Sequence, residues 1–437
     1  MKKMFEAFDR QLQWSQGEFE HDEAAQRNVF TRANSTAILN NGGKEIMRIL
    51  HIIGTLNPEA GGPTESVRVL LSYGPIGYTG EVVTLDDPSA PYLSDIGFPV
   101  HALGPTNTKY GFNSKLMPWL KKNRHRFDGV VVNGLWQYCG FAAWRALAGN
   151  TPYVVFTHGM LDPYFKHAFP LKHVKKWLYW VPAEYWILRD AYRVLFTSKA
   201  EKRLAEESFW LHRWNAYVVP YGASGPSGDP EVQKRAFFAK CPEAEGKRYL
   251  LFLGRIHRKK GCDLLIDAFA KVAADDPDLY LVMAGPDQQQ WSAKLKASAA
   301  SAGIADRIFW PGMVTGDAKW GAFFGSEAFV LPSHQENFGI AVAEALACGK
   351  PVLLADKVNI AEDIAADGAG LMELDTAEGT LRLLQGWIGM TIAERQHMAE
   401  LAYRCFNQRY DMRENAKAII RLFGTATVLT PTLVDSE

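Results

Sequence analysis

The chain has 437 residues, too many for one ordinary hydrophobic core, so two or three domains are expected. Its composition is that of a globular protein, 47% hydrophobic and 22% charged, with lysine plus arginine balancing aspartate plus glutamate at 48 each. No bulk positive field is left to attract nucleic acid, so nucleic acid is not an expected partner and any anionic ligand has to be held by local features.

Residues 1–46 are polar and mixed and end in ILNNGGKE. The opening MKKMFEAFDRQLQW lacks the continuous apolar run of a signal peptide. The run MRILHIIG then begins abruptly at Met47, with the look of a buried first strand. Either 1–46 is an added, partly disordered extension or Met47 is the natural start; the sequence leaves both open.

From Met47, apolar runs at 47–54, 81–85, 129–133, 153–157, 193–197 and 217–220 alternate with helical patterns near 63–73, 112–124, 139–149, 167–190 and 199–208. Strands alternating with helices predict a parallel sheet covered on both faces. Glycine, proline and serine in PYGASGPSGDPE (220–231) mark a linker. The alternation restarts with runs at 249–254, 279–285, 307–312, 328–333 and 351–355. The expected fold is α/β, with two doubly wound Rossmann-like domains, 47–222 and 223–408, facing across a cleft. A helix at 409–425 is expected to return to the first domain, followed by a disordered tail at 426–437.

The longest uncharged stretch, 129–144, contains Asn133 and Gln137 and falls short of the roughly 20 apolar residues of a spanning helix. The five cysteines, Cys139, Cys241, Cys262, Cys348 and Cys405, form no metal-ligand spacing. Reduced, buried thiols in a cytoplasmic protein are expected, and no metal site.

Ligands of doubly wound sheets bind beyond the carboxyl ends of the strands, so the loops there are the candidates. After the first run, Gly61 and Gly62 precede a helix start, an arrangement that suits either an ordinary turn or backbone amides approaching an anion. It is neither GxGxxG nor a Walker A loop, so nicotinamide-dinucleotide and P-loop readings are weak. His158 follows the run 153–157 and is either structural or turned to the cleft. In LFLGRIHRKKG, Arg255, His257, Arg258, Lys259 and Lys260 crowd one loop before a helix. Helix N-termini prefer acids, so this cluster is either a solvated turn or a shared grip on an anion such as a diphosphate. In HQENFGIAVAEALACGKPV, Glu336 lies in a loop, Phe338, Gly339 and Ile340 open a helix, and Glu344 lies about one turn in. Two carboxylates near helix amides suit the hydroxyls of a nucleotide sugar.

GRIHRKKG, followed by ENFGIAVAEALACGKPV, resembles the retaining glycosyltransferases of family 4, which have the GT-B fold; the second stretch matches their E-x7-E motif and the first their G-R-x(4)-K-G loop. The GGP loop, THGMLDP and VVPYGAS extend the likeness over 47–425. The resemblance implies a nucleotide-diphosphate sugar as donor substrate and no separate cofactor. Arg255 and Lys260 would hold the diphosphate, Glu344 the ribose and Glu336 the donor sugar. Phe338, Gly339 and Ile340 would offer amides, Gly312 and Met313 would border the base, Gly61 and Gly62 would close from the other domain, and His158 would face the reacting sugar. At the junction, Tyr221 and Ser224 replace the asparagine and aspartate of the family's usual PNGVD.

The implied activity is sugar transfer to a glycan or lipid-linked glycan in cell-surface polysaccharide synthesis. A non-catalytic nucleotide-sugar-binding protein and a GT-B epimerase or phosphorylase are the alternatives. Between Asp162 and Glu184 no acid occurs, while Lys166, Lys172, Lys175 and Lys176 mix with Phe165, Phe169, Trp177, Tyr179 and Trp180. The stretch 164–186 reads equally as a peripheral contact with the inner face of an anionic membrane or as a basic surface helix with a buried aromatic stripe.

Overall fold

Continuous apolar runs become strands buried on both faces. A computed structural model describes residues 46–427, apart from 73–77, 95, 107 and 288–289, so the extension at 1–45 and the tail from 428 lie outside the described residues. The first sheet holds β1 (Met47–Ile53), β2 (Tyr78–Thr84), β3 (Val100–Ala102), β4 (Gly129–Asn133), β5 (Tyr153–Phe156), β6 (Arg193–Phe196) and β7 (Ala216–Val218) in the order β3-β2-β1-β4-β5-β6-β7. The second holds β8 (Arg248–Leu253), β9 (Leu279–Ala284), β10 (Ile308–Gly312), β11 (Ala328–Leu331), β12 (Val352–Ala355) and β13 (Gly370–Glu373) in the order β10-β9-β8-β11-β12-β13. Neighbouring strands pair in parallel, as at Ile49–Gly129 and Ala328–Leu250. Every residue of β4, β11 and β12 is buried, which is why these strands read as unbroken runs rather than alternating ones. The result is two Rossmann-like α/β domains, the GT-B architecture.

Two departures from the sequence reading have local causes. Edge strands β3 and β13 were not expected, because both are short and half-covered and carry no long apolar run. The single helix expected over 167–190 is interrupted. Tyr164–Ala168 stops before Pro170, which opens Pro170–Tyr179, and Pro182 sits in a π turn, Trp180–Glu184, before Tyr185–Arg189. Proline starts a helix well, but within one it removes an amide donor.

The strand order reverses between β1 and β4 in the first sheet and between β8 and β11 in the second, the crevices where doubly wound sheets hold ligands. The chain leaves the first sheet through Tyr221–Ala223 and returns beside it: Ala223 N–H donates to Tyr410 O (3.0 Å) and Met412 N–H to Ala223 O (3.2 Å). The last helix, Met412–Thr427, then packs on the first sheet, with fully buried Phe423 against the backbone of Gly129. All five cysteines are buried and unpaired.

Candidate functional site

The loops after β8 and β11 meet at the second sheet's reversal point. The β8 loop ends in the short turn Arg258–Lys260 and then Gly261, whose φ is +65°. A Cβ at Gly261 would fall 1.9 Å from Pro332 O, so glycine is what lets the two loops touch. The contact delivers Lys260 to Glu336, 76 positions apart in sequence, as an ion pair from Nζ to Oε2 in which the two side chains are 16% and 19% exposed. Burial and the like charges of Lys259 and Arg255 push the Lys260 ammonium down to about 7, a push the Glu336 carboxylate opposes. Burial and the same cations lower the His257 imidazole, whose Nδ1 accepts the Lys259 N–H (3.0 Å). Arg255 stays exposed, its charge acting on His257, Lys259 and Lys260.

Glu336 is held by its backbone. Its N–H donates to Lys357 O (2.9 Å), and its carbonyl accepts from Asn359 N (3.1 Å). Gly339 then caps the helix Ile340–Ala347 in the left-handed conformation (φ +76°). The first amides of a helix have no partner within it, and the dipole adds positive potential there. Phe338 is buried edge-on against Tyr221 (ring centroids 4.8 Å apart) and Tyr410 (5.7 Å), so its contribution to a ligand is limited to its main chain.

Glu344 is buried, and Lys319 Nζ lies 2.6 Å from its Oε1. Burial raises the Glu344 pKa; Lys319 opposes the rise, and Glu65 on the facing helix adds to it. Lys319 comes from the helix Gly316–Gly325, with its ammonium over the Trp320 ring at 4.3 Å. Sequence reasoning missed Lys319. The only signal was that Lys319, with Asp317, is one of two charged residues in GDAKWGAFFG. Gly312 and Met313 lie at the end of edge strand β10, apart from the Lys260–Glu336 pair. Gly312 O accepts from Gly285 N (2.8 Å), and Met313 O accepts from Lys240 Nζ.

From the first sheet, the helix Gly62–Ser72 begins opposite. A Cβ at Gly62 would lie 3.7 Å from Ile340 Cδ1, so two helix N-termini face each other across the cleft. Gly61 (φ +98°) has open space beside it. The loop before them is fixed by Asp86, which accepts from Leu56 N (2.7 Å), Thr84 Oγ1 (2.7 Å) and Tyr92 OH (2.9 Å).

His158 takes a left-handed conformation (φ +47°), stacked on Phe156 with centroids 4.5 Å apart, and its Nε2 is 3.2 Å from Asn133 Oδ1. Burial lowers its pKa to about 3, so the imidazole is neutral at ordinary pH. Glu201, a second residue the sequence reading missed, holds this turn. It accepts from Thr157 Oγ1, Gly159 N, Thr197 N and Thr197 Oγ1, each at 2.6 Å.

The two domains are tied on both sides of Glu336. Gln335 Nε2 donates to Asp162 Oδ2 (2.7 Å), and Asn337 Nδ2 to Thr197 Oγ1 (3.2 Å). The structure thus gathers Lys260, Glu336, Phe338, Gly339, Ile340 and Glu344 around one cleft with Gly61 and Gly62 opposite. His158 stands on the first-domain side, reached through its neighbour Gly159, whose Cβ position lies 2.6 Å from Asn337 Cβ.

Two family models match the chain: "Glycosyl transferase 4-like domain" over residues 71–222 and "Glycosyl transferases group 1" over 233–388. Among curated proteins, the lipopolysaccharide core biosynthesis mannosyltransferase LpsB of Rhizobium meliloti is 24% identical over 260 residues, covering 54% of this chain and 73% of that protein. A D-inositol 3-phosphate glycosyltransferase of Geodermatophilus obscurus is 31% identical over 179 residues, covering 39% of each chain. Among solved structures, sucrose-phosphate synthase from Thermosynechococcus elongatus superposes with TM-score 0.67 at 18% identity, covering 88% of this chain and all of that one. Anabaena HepE in complex with UDP and glucose gives 0.68 at 17% identity over 87% of this chain and all of its own. At these identities the structures establish the shared fold.

Proposed function

We propose, on the premise that the chain belongs to the family 4 glycosyltransferases with the GT-B fold, that it moves a sugar from a nucleotide-diphosphate sugar to a glycan or lipid-linked glycan acceptor, with retention of anomeric configuration, in cell-surface polysaccharide synthesis. The observation that carries the reading is the cleft itself. The N-termini of Gly62–Ser72 and Ile340–Ala347 face each other, and Lys260 and Glu336 meet beside them. A diphosphate placed there would receive amides from both sides and an ammonium from a third.

When the anomeric C–O bond breaks, negative charge grows on the leaving diphosphate and the sugar becomes oxocarbenium-like. Lys260, with Arg255 folding in from the loop surface, would stabilise that charge. One preorganised donor of this kind supplies on the order of 3 kcal/mol, about a hundredfold in rate. On donor arrival Lys260 would exchange Glu336 for phosphate, freeing the carboxylate to accept hydroxyls of the sugar. Glu344, oriented by Lys319, would accept from the ribose diol. Neutral His158 would donate or accept a single hydrogen bond at the reacting sugar without titrating. No side chain is assigned as a covalent nucleophile. The acceptor attacks the face the diphosphate leaves, and the departing phosphate takes the acceptor's proton. The Gln335–Asp162 and Asn337–Thr197 ties hold the domains together and limit access of water to the donor.

A thermal-shift panel of UDP, GDP, ADP and their sugar conjugates, followed by nucleotide release with Lys260→Ala as control, tests the reading. A conjugate that stabilises the protein and is turned over by wild type but not by the variant supports it. Binding without turnover in the presence of any acceptor extract would favour a non-catalytic sugar-nucleotide binder.

A further inference from the structure

The helix Pro170–Tyr179 turns apolar side chains to solvent. Leu171, Val174 and Leu178 are 82%, 60% and 76% exposed, and their spacing of three and four places them on one stripe. Phe169 (44% exposed) precedes the stripe, and Trp210 (69%) lies beside the helix, stacked on Trp177 with centroids 5.5 Å apart. Singly exposed apolar residues are ordinary; a contiguous stripe marks a contact surface. The outward orientation is set by packing on the other face. Lys176 Nζ lies 4.4 Å from the Trp136 ring centroid, and Trp180 is fully buried, stacked on Phe209 at 3.9 Å. Of the residues in 164–186, Trp180 lies on the inner face, as in a buried aromatic stripe, and Lys176 lies there with it, while the exposed face carries the aliphatic residues Leu171, Val174 and Leu178 beside Lys172 and Lys175.

Charge identifies the occupant. Lys166, Lys172 and Lys175 are exposed along this segment, residues 163–183 contain no carboxylate, and Glu184 is buried. A second copy of the chain would bring lysine against lysine, whereas an anionic bilayer offers both acyl chains and negative headgroups. We infer that this face docks the protein on an anionic lipid surface, with the helix in the headgroup plane and Leu171, Val174 and Leu178 at the acyl boundary. Among the described residues no helix is long and apolar enough to cross a membrane, so the contact is peripheral. The inner face of the same helix reaches Trp136, just beyond the carboxyl end of β4. On the function proposed above, docking would therefore bring a lipid-linked acceptor to the first domain's side of the cleft.

Co-sedimentation of the full chain with vesicles of phosphatidylcholine alone, or mixed with phosphatidylglycerol, tests this. Three lysines near the surface predict roughly a hundredfold stronger partitioning to the mixed vesicles, weakened by salt. The triple variant L171S/V174S/L178S should keep its melting temperature and lose at least tenfold in partitioning, and K172Q/K175Q should lose most of the preference for the anionic lipid. No sedimentation with mixed vesicles, or sedimentation indifferent to the triple variant, would overturn the inference. So would a dimer on gel filtration that the triple variant dissolves, because it would assign the stripe to a second copy. Sedimentation requires no donor, so failure of the transferase reading would show separately, as absent donor turnover.

Discussion

Lys319 and Glu344 form a 2.6 Å ion pair between two helices of the second domain, joining a carboxylate visible in the sequence to a lysine that was not. The pair is partly desolvated, so removing one member leaves the other without its counter-charge. Lys319→Met keeps an unbranched side chain of similar length and removes the charge, including the ammonium over Trp320. Glu344 should then protonate more readily, and donor affinity should fall about tenfold near neutral pH and recover in part as pH rises. Calorimetric titration of nucleoside diphosphate into Lys319→Met, Glu344→Gln and the double variant checks this. The double variant should lose less than the sum of the two; simple additivity would show that the pair does not act as a unit.

Lys260 sits where burial and two neighbouring cations lower its pKa to about 7. The protonated form prevails below that value, so diphosphate binding to the free protein should weaken as pH rises from about 6 to 8. Lys260→Met should abolish that slope and cut transfer about a hundredfold. A pH series of binding constants for both chains is the measurement, and an identical slope in the variant would assign the titration elsewhere.

Gln335 and Asn337 cross to the first domain on either side of Glu336, and Gly159 admits Asn337 at close range. Gln335→Ala should raise the ratio of donor hydrolysis to transfer several-fold while changing stability by only about 1 kcal/mol. Gly159→Ala meets both a φ of +73° and a Cβ position 2.6 Å from Asn337, so it should cost about 1–3 kcal/mol and shift the same ratio further. Product analysis and urea unfolding of both variants read the two effects. Unchanged ratios would mean that these ties do not govern closure.

Glu184 is buried in the first domain. Burial raises its pKa to about 8, with the Trp136 N–H and Lys176 pulling the other way. In the unfolded chain it titrates near 4.5, so between about pH 4.5 and 8 the folded state holds the extra proton. Stability from this group is present at the acidic end of that window and is lost as pH rises through it. Glu184→Gln removes the titration. The variant should gain on wild type by on the order of 3 kcal/mol between pH 5 and pH 8. Lys176, lowered by burial to about 8, titrates in the next window up and acts in the opposite sense, wild-type stability rising with pH above about 8. Urea midpoints at pH 5, 8 and 9.5 separate the two groups.

Much of this protein could be read without coordinates, for a physical reason. Strands covered on both faces must be apolar throughout, so β4, β11 and β12 announce themselves, and in parallel sheets the loops that follow them must gather at one edge. Gly61, Gly62, Lys260 and the stretch from Glu336 to Glu344 were legible because each stands beside such a strand end. Edge strands β3 and β13 were not, because half-covered strands need no apolar run. Other features depended on the order in which the strands lie and on which way each helix is rolled. Lys260 meets Glu336 only because the sheet reverses between β8 and β11, and Lys319 meets Glu344 only because two helices pack side by side. The sequence indicated a helix within 167–190 and left its outer face open, and only packing against Trp136 and Phe209 decided that Leu171, Val174 and Leu178 face outward. Residue type and spacing are local properties of a chain, whereas partner and orientation arise from contacts between segments far apart in it.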